Sequence, residues 1–278
     1  MKPAVIILTY NSSMTLDQTI RSARLVSDEI YVVDSYSQDN TLSLAESLGA
    51  HVLQHAFENY GKQRNWAIEN IATPARWQLH LDADECMDQT LCAAIAALPE
   101  DTEHAGFLLA RNLVFLGREL LHGGMSPTWH LRLFRSGVGR CEDRLYDQHF
   151  FVREGTTAKL PGRMLDDIRM SLSEWTARHN RWSDAEAAEI LARNSSSQIK
   201  ARLLGNTVER KRRLRGYYNS TPILVRPFAL FMYRYFLRLG FLDGREGFIF
   251  WVLQTFWFHF LIDAKIYESR KSVHDPVS

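Results

Sequence analysis

The 278-residue sequence has few cysteines and almost no net charge. Its three cysteines, Cys86, Cys92 and Cys141, have neither the spacing of a zinc site nor the even number of a disulfide framework. We therefore expect reduced thiols and a reducing compartment. The net charge of +1 creates no overall field that would attract a nucleic acid, which argues against a nucleic-acid-binding protein.

Other familiar features are also missing. No G-x-G-x-x-G or P-loop pattern occurs, which argues against a classical dinucleotide enzyme or a P-loop NTPase. The N-terminus has no long apolar segment with a cleavage site, so we interpret residues 5–8 as the first buried strand of a cytoplasmic protein. The apolar segment 248–262 contains only about fifteen residues and includes polar ones, short of the roughly twenty that span a bilayer.

What the sequence does contain is an alternation of strands and helices. Residues 5–8 and 29–33 form apolar, β-branched runs, and each is followed by apolar residues at helical spacing. A third strand is predicted at residues 51–53. This alternation predicts an α/β fold with a parallel sheet, whose ligands bind at the carboxyl ends of the strands.

A cluster of acidic residues ends another strand-like run. Residues 77–81 are followed by Asp82, Asp84 and Glu85. Asp82 and Asp84 share a face on an extended backbone, and at the turn both can approach one ion. Their hard oxygens suit Mg²⁺ or Mn²⁺. The alternative explanation is an acidic helix start without a metal.

Four ordered segments together resemble the inverting family 2 glycosyltransferases, and among these the bacterial subgroup that extends lipopolysaccharide core or related surface glycans. They are residues 5–11, 32–41, 62–65 and 81–85. The resemblance extends from residue 1 to about residue 150. It implies a GT-A fold, which is a Rossmann-like nucleotide-diphospho-sugar transferase sheet. It also implies a nucleotide-diphospho-sugar donor and Mg²⁺ or Mn²⁺ as cofactor.

The resemblance also assigns residues to the donor. Asp34 would bind the base or ribose, and Arg64 would lie near the phosphates, although a solvated helix-start charge is the alternative for Arg64. The residues that would line the nucleoside pocket are Thr9, Tyr10 and Asn11.

A DxD element is implied at the acidic cluster. Asp84 would be the direct metal ligand, while Asp82 would bind ribose or hold the ion through water. His149 is a candidate for a further metal ligand or for a residue that orients the acceptor, and a structural histidine is the alternative.

The general base is the least certain assignment, because the sequence departs from the family at this point. Inverting transfer needs a group that removes the proton of the acceptor hydroxyl. The family places a carboxylate after a segment like residues 128–135, and the subgroup commonly has His-Glu where this chain has Tyr146-Asp147. Asp147 is the predicted base, and Asp143 and Glu142 are the alternatives.

Three residues are predicted to contact the acceptor. Trp129 and Arg132 could grip a sugar face and an anionic group, and Glu85 could bind a sugar hydroxyl. Core packing is the alternative for Trp129, and a helix-start role is the alternative for Glu85. The glycine-rich segment around His122 could close as a lid over the donor, with ordinary hairpin turns as the alternative.

The C-terminal third has a different character. We predict a catalytic domain over residues 1–170 and a helical, amphipathic region over residues 171–278. A basic tract at residues 209–215 precedes an aromatic and aliphatic segment at 222–236. This combination favours attachment to a membrane surface, with packing on the catalytic domain or dimerisation as alternatives.

The sequence therefore predicts an inverting glycosyltransferase acting on a lipid-linked or lipopolysaccharide-type acceptor. It would be cytoplasmic and peripheral on the inner face of the cytoplasmic membrane, without a nucleic-acid partner. One alternative is a nucleotidyltransferase-like enzyme, but residues 9–13 are not the Gly-rich basic loop expected of one. The other is a non-catalytic membrane-associated scaffold with the same fold.

Overall fold

A computed structural model describes residues 1–143, 148–191 and 221–274, with side chains up to residue 271. The described residues form two compact units. The first consists of Met1–Glu119, Ser126–Asp143 and Gln148–Arg169, and the second of Leu120–Met125 with the described residues from Met170 onward. A six-residue loop from the N-terminal half therefore belongs to the C-terminal unit.

The first unit contains helices and strands in alternation before it becomes mostly strands. Its helices are α1 (Leu16–Arg24), α2 (Thr41–Ser47), α3 (Tyr60–Asn70) and α4 (Gln89–Ala97). Its strands are β1 (Ala4–Thr9), β2 (Ile30–Asp34), β3 (His51–Gln54), β4 (Trp77–Asp82), β5 (Glu85–Met87), β6 (Gly106–Phe115), β7 (Arg118–Leu120), β8 (Thr128–Arg135), β9 (Gly139–Cys141), β10 (Phe150–Val152) and β11 (Thr157–Ile168).

Nine of these strands form one sheet in the order β3-β2-β1-β4-β8-β6-β11-β5, with β7 beside β6. The first four strands of this order are parallel, as the sequence predicted. Strand β8 runs antiparallel to both β4 and β6. No helix separates β6 from β8, and parallel strands require such a crossover, so the second half of the sheet is mixed.

Strand β1 shows why its sequence is apolar throughout. Val5 and Ile7 pack in the main core with Leu16 of α1, while Ile6 points to the other face and packs with Ala67 of α3. Both faces of the strand are thus covered, which requires apolar residues at every position rather than an alternating pattern.

The register of the parallel strands brings the predicted site residues to one edge of the sheet. Thr9 is paired with Asp34, and Leu8 is paired with Asp82. The carboxyl ends of β1, β2 and β4 therefore coincide, and this is the edge at which open parallel sheets bind ligands.

Strand β4 also contains a histidine that the core holds uncharged. Burial lowers the pKa of His80 to about 3, and the nearby Arg132 and Arg64 guanidinium groups add to this effect. The ring stacks on Phe134 with its centroid 4.9 Å away. In the unfolded chain a histidine titrates near pH 6.5.

We expect the native state to lose stability as the pH falls below about 6.5. In the unfolded chain His80 then becomes protonated, whereas in the native state the buried ring stays neutral down to much lower pH. The free energy of unfolding should fall by up to about 1.4 kcal/mol per pH unit from this residue. The substitution His80→Phe should make the free energy of unfolding, measured with urea, depend less steeply on pH between pH 4 and 6.5. The exposed His51→Gln control should leave it unchanged, and an unaltered slope in His80→Phe would contradict the assignment.

The second unit is helical among its described residues, which confirms the predicted helical C-terminal region. Its helices are α5 (Leu172–Leu191), α6 (Arg226–Met232), α7 (Gly244–Trp251) and α8 (Phe258–His274). A π-helical turn, Tyr233–Leu237, follows α6, a 3-10 turn, Gly240–Asp243, precedes α7, and π-helical Val252–Trp257 joins α7 to α8.

The described residues of this unit pack through an apolar cluster and a buried ion pair. Ala187 of α5 contacts Phe258 and Ile262 of α8. The guanidinium of Arg226 donates to Asp263 over 2.9 Å, and both side chains are almost fully buried. The predicted basic tract at residues 209–215 lies outside the described residues.

Gly240–Lys271 forms a helical stretch that is long and apolar enough to cross a membrane by length and composition. The helical run is longer than the fifteen apolar residues identified in the sequence, because polar residues do not interrupt the backbone. Core helices of soluble proteins satisfy the same criterion, and about two fifths of the apolar window is buried within the protein.

Candidate active site

The loops after β1 and β2 are tied together by side chains. The Asp34 carboxylate is fully buried and accepts hydrogen bonds from the Thr9 hydroxyl over 2.9 Å and from the Ser37 amide over 2.8 Å. The Asn11 amide donates to the Ser37 hydroxyl over 2.8 Å. Hydrogen bonds thus connect Thr9, Asp34 and, through Ser37, Asn11 at the sheet edge, all three of them predicted to bind the nucleoside. The Tyr10 side chain is 61% exposed.

Arg64 reaches this edge from helix α3. The side chain of Asn59 caps the helix by accepting from the Lys62 amide over 2.9 Å, which sets where the helix begins. The Arg64 guanidinium then extends to the Asp82 carboxylate, with N–O distances of 3.0 and 3.2 Å. The arginine predicted to lie near the phosphates and the first acid of the predicted DxD element are therefore in direct contact.

A second arginine binds the same carboxylate from strand β8. The Arg132 guanidinium donates to Asp82 over 2.7 Å and to Glu85 over 2.6 Å. The other oxygen of Glu85 accepts from the Asp82 amide over 2.9 Å. Arg132 and Glu85 were predicted to contact the acceptor, and the structure places both in this buried ion network.

Two residues that sequence reasoning missed complete the network. Arg111 of β6 lies 3.3 Å from Asp166 of β11 and 3.9 Å from Glu85. Asp166 stands directly opposite Glu85 in the antiparallel pair of β11 and β5. No sequence motif marks either residue, since they become neighbours only through the pairing of β11 with β6 and β5.

The charges in this network are strongly coupled. Burial opposes ionisation of Asp82, but the Arg132 and Arg64 guanidinium groups outweigh it and hold the pKa of Asp82 far below its usual range. Burial raises the pKa of Glu85, and the adjacent Asp82 raises it further against the pull of Arg132. The two arginines therefore favour the ionised form of Asp82.

Asp84 is placed differently from its two acidic neighbours. It lies half-buried in the turn between β4 and β5, and its backbone carbonyl accepts from the Asp167 amide over 3.0 Å. Within the described residues, no three His, Cys, Asp or Glu side chains are arranged as ligands of one ion. Asp82, Asp84 and His149 therefore do not form a preassembled three-ligand site there.

His149 lies instead beside one of the candidate bases. Its amide donates to the Glu142 carboxylate over 3.2 Å, and its Nδ1 lies 3.7 Å from the same carboxylate. Glu142 is fully buried, whereas Asp143 is exposed. Asp147 lies outside the described residues. The ring of His130, which the sequence did not indicate, stacks parallel to His149 at 6.1 Å.

Trp129 precedes His130 on strand β8 and pairs with Ala110 of β6. Its indole is half-buried, and the Lys159 ammonium lies 4.2 Å from the ring centroid. A cation above the ring occupies one aromatic face. The predicted contact of Trp129 with a sugar would therefore use the opposite face or displace Lys159.

Comparison with known proteins identifies the domain that carries this site. The family model described as glycosyl transferase family 2 matches residues 4–152, more than half of the chain. This match confirms the resemblance stated from the four sequence segments, the enzyme class and the α/β GT-A fold class. The matched range includes the residues predicted to bind the donor, the acidic cluster and the candidate bases.

The similar curated proteins are glycosyltransferases by name. Over 90 residues the chain is 38% identical to an uncharacterized glycosyltransferase of Rickettsia bellii and 34% identical to one of Rickettsia prowazekii. Each match covers 32% of this chain and 30% of the relative. The chain thus spans less than a third of the length of the curated relatives it matches.

Matches to solved structures were also found. TarS 1–349 of S. aureus matches with a TM-score of 0.47 and 15% identity, over 100% of this chain and 92% of that one. Glucosyl-3-phosphoglycerate synthase of Mycobacterium tuberculosis in complex with Mg²⁺ and uridine diphosphate matches with a TM-score of 0.33 and 19% identity, over 40% of this chain and 43% of that one.

Proposed function

Since this chain belongs to glycosyl transferase family 2, we propose that it transfers a sugar, with inversion, from a nucleotide-diphospho-sugar to a lipid-linked or lipopolysaccharide-type acceptor. The observation that carries the proposal is the contact of Arg64 with Asp82 at the carboxyl edge of the sheet. It joins two of the four family segments into one charged site, beside the Thr9–Asp34 hydrogen bond that joins the other two.

The nucleoside end of the donor would lie against the loops after β1 and β2. Asp34 retains acceptor capacity beyond the bonds it receives, since an ionised carboxylate has about four lone-pair sites. The exposed Tyr10 ring offers an apolar face for a base. The bonds between these loops hold Asp34 and Asn11 in place before the donor binds.

The diphosphate would lie near Arg64 and Arg132. Both guanidinium groups are bonded to Asp82, and each has further N–H donors that an anionic group can accept. Arg64 is the better placed of the two for a phosphate contact, because Asp82 is its one carboxylate partner among the described residues, whereas Arg132 also binds buried Glu85.

The acidic cluster fits a divalent cation that binds together with the donor. Both oxygens of Asp82 accept from guanidinium groups, so Asp84 remains the direct ligand in this proposal and Asp82 its neighbour. Mg²⁺ is commonly held by one or two carboxylates together with substrate phosphates. When bound, Mg²⁺ or Mn²⁺ would neutralise the charge that develops on the departing diphosphate.

The acceptor hydroxyl would give up its proton to a carboxylate after β9. Asp147 is the proposed base, with Asp143 the alternative that is exposed to a substrate. Fully buried Glu142 is better suited to hold His149, whose amide and ring both lie beside its carboxylate. A lipid-linked acceptor would place the enzyme at the inner face of the cytoplasmic membrane.

A thermal-shift screen with and without Mn²⁺ tests the donor class. A nucleotide diphosphate or nucleotide sugar that binds the native state should raise the melting temperature, and at a hundredfold excess over its Kd the stabilisation is about 2.7 kcal/mol. We expect the rise in melting temperature to depend on Mn²⁺, because in this proposal the ion and the donor bind together. One carboxylate alone would hold the ion weakly.

The matched variants are Asp84→Ala and Asp88→Ala. Asp84→Ala should remove the Mn²⁺-dependent part of the shift and the metal-dependent turnover of the donor. Asp88 caps helix α4 by accepting from the Leu91 amide, so Asp88→Ala should lower the melting temperature without altering either response. A scaffold without activity would bind no donor and would be indifferent to Asp84→Ala.

A further inference from the structure

The second unit exposes a cluster of large apolar side chains between α6 and α7. Leu237 is 76% exposed, and its neighbours are close to half exposed. A monomeric soluble protein rarely leaves a contiguous apolar patch of this kind in water. The members of this apolar corner are Tyr233, Phe236, Leu237, Leu239, Phe241 and Leu242.

Two arginines lie within the same segment. The Arg234 guanidinium donates to the Gly123 carbonyl over 3.1 Å and sits 5.9 Å from the centroid of the Trp251 ring. Arg238 is exposed one helical turn further along. In the described part of the chain, neither guanidinium forms an ion pair with a carboxylate.

The environment of Arg234 disfavours its positive charge. Burial lowers the pKa of Arg234, and the adjacent Arg238 lowers it further, against an opposing effect of Tyr233. The buried Asp243 carboxylate accepts from the Leu121 amide over 3.1 Å and from the His122 amide over 3.0 Å. An anion between the guanidinium groups would remove this repulsion.

A glycine pair allows the two arginines to approach the loop backbone. Gly123 and Gly124 have φ angles of 72° and 79°, which favour glycine. The Gly123 amide donates to the Arg238 carbonyl over 2.8 Å, and a methyl group on Gly124 would come within 3.1 Å of Arg238 Nε. The loop around His122, considered above as a lid, is therefore bonded to this corner.

We propose that Arg234 and Arg238 bind the phosphate group of an anionic bilayer lipid, while the apolar corner enters the acyl boundary around it. The proposal rests on the membrane location in the proposed function and names the surface and the ligand class. Basic residues bind anionic headgroups where aromatic and aliphatic side chains reach the hydrocarbon. A free phosphate in solution would satisfy the guanidinium groups but would leave Leu237 and its neighbours in water.

Co-sedimentation of the full chain with vesicles tests this site. Wild type should bind vesicles that contain phosphatidylglycerol and bind phosphatidylcholine vesicles much more weakly. Arg238→Gln should weaken binding to the anionic vesicles about 5-fold, and Arg234→Gln with Arg238→Gln about 25-fold, since each arginine near an anionic surface contributes about a factor of five. Leu237→Ser with Phe236→Ser should weaken binding to both vesicle types.

Two controls separate this corner from other basic residues. Arg245→Gln removes an exposed arginine of α7, and Arg212→Gln with Arg213→Gln removes part of the basic tract. If the tract variant loses vesicle binding while the Arg234/Arg238 variant keeps it, the proposal is wrong. It is equally wrong if binding is unaffected by lipid charge, or if inorganic phosphate competes fully at a concentration that leaves ionic strength unchanged.

The thermal shift with the donor distinguishes a failure of this site from a failure of the proposed function. Arg234 and Arg238 lie outside the residues assigned to the donor, so their variants should retain the Mn²⁺-dependent thermal shift. A wild-type protein that ignores anionic vesicles but still shows this shift refutes the lipid site alone. Absence of any donor-dependent shift would refute the proposed transferase activity, whatever the vesicles show.

Discussion

Arg132→Met is expected to lower the free energy of unfolding by about 3–5 kcal/mol, measured by urea denaturation at pH 8. The variant removes the guanidinium that lies 2.7 Å from Asp82 and 2.6 Å from Glu85. Asp82 keeps its bond to Arg64, but fully buried Glu85 is left with the Asp82 amide and with Arg111 at 3.9 Å as its nearest cation. An uncompensated buried charge is costly because it has lost its hydration.

The double variant Arg132→Met with Glu85→Gln tests this explanation. It removes the stranded charge and should recover a large part of the lost stability. Arg135→Met is the matched control on the same strand, because Arg135 donates to the His104 carbonyl and has no carboxylate partner in its described contacts. A loss in Arg132→Met that Glu85→Gln does not relieve would assign the effect to packing instead.

The pH dependence of Arg132→Met follows from the same charge. Without Arg132, the raised pKa of Glu85 rises further above its value in the unfolded chain, so the native state takes up a proton more readily. A native state that binds more protons gains stability as the pH falls. The difference in the free energy of unfolding between wild type and Arg132→Met should therefore be smaller at pH 5 than at pH 8.

Asp147→Asn is expected to reduce sugar transfer by a factor on the order of a hundred or more while the donor still binds. An amide has nearly the shape of the carboxylate but cannot accept the proton of the acceptor hydroxyl. Steady-state transfer and the thermal shift with the donor measure the two effects separately. A fall in both would indicate that the substitution disturbs the site rather than removing a base.

Asp143→Asn and Glu142→Gln are the comparison variants. If transfer survives Asp147→Asn and collapses in Asp143→Asn, exposed Asp143 is the base. Glu142→Gln preserves an acceptor for the His149 amide, which now bonds to the carboxylate over 3.2 Å. A strong effect of Glu142→Gln on kcat alone would move the proton acceptor to the pair formed by Glu142 and His149.

The sequence predicted the parallel half of the sheet well because its strands carry their own signals. Residues 5–8 are apolar at every position, since both faces of β1 are covered, and helical spacing follows in α1. The mixed half was not predicted. Its pairing depends on long-range contacts such as β6 with β8 and β11 with β6, which leave no local pattern.

The same difference applies to the candidate site. Asp82 and Arg64 were assigned to neighbouring parts of the donor site from their segments, and they lie in contact in the structure. The identities of Arg132 and Glu85 gave no sign that they pair with each other rather than face an acceptor. Burial made that difference, because two charges removed from water are stabilised only by bonding to each other.

By itself, the sequence determined the family, the strand ends that carry acidic residues and the change to a helical C-terminal third. These features are written in local residue order, where apolar periodicity and turn residues act over a few positions. Only the tertiary structure decided which charges neutralise one another. Arg111 and Asp166 join Glu85 across three strands, and Arg234 lies beside Gly123 across more than a hundred residues of chain. Electrostatic partners depend on distance in space, and separation along the chain carries no information about it.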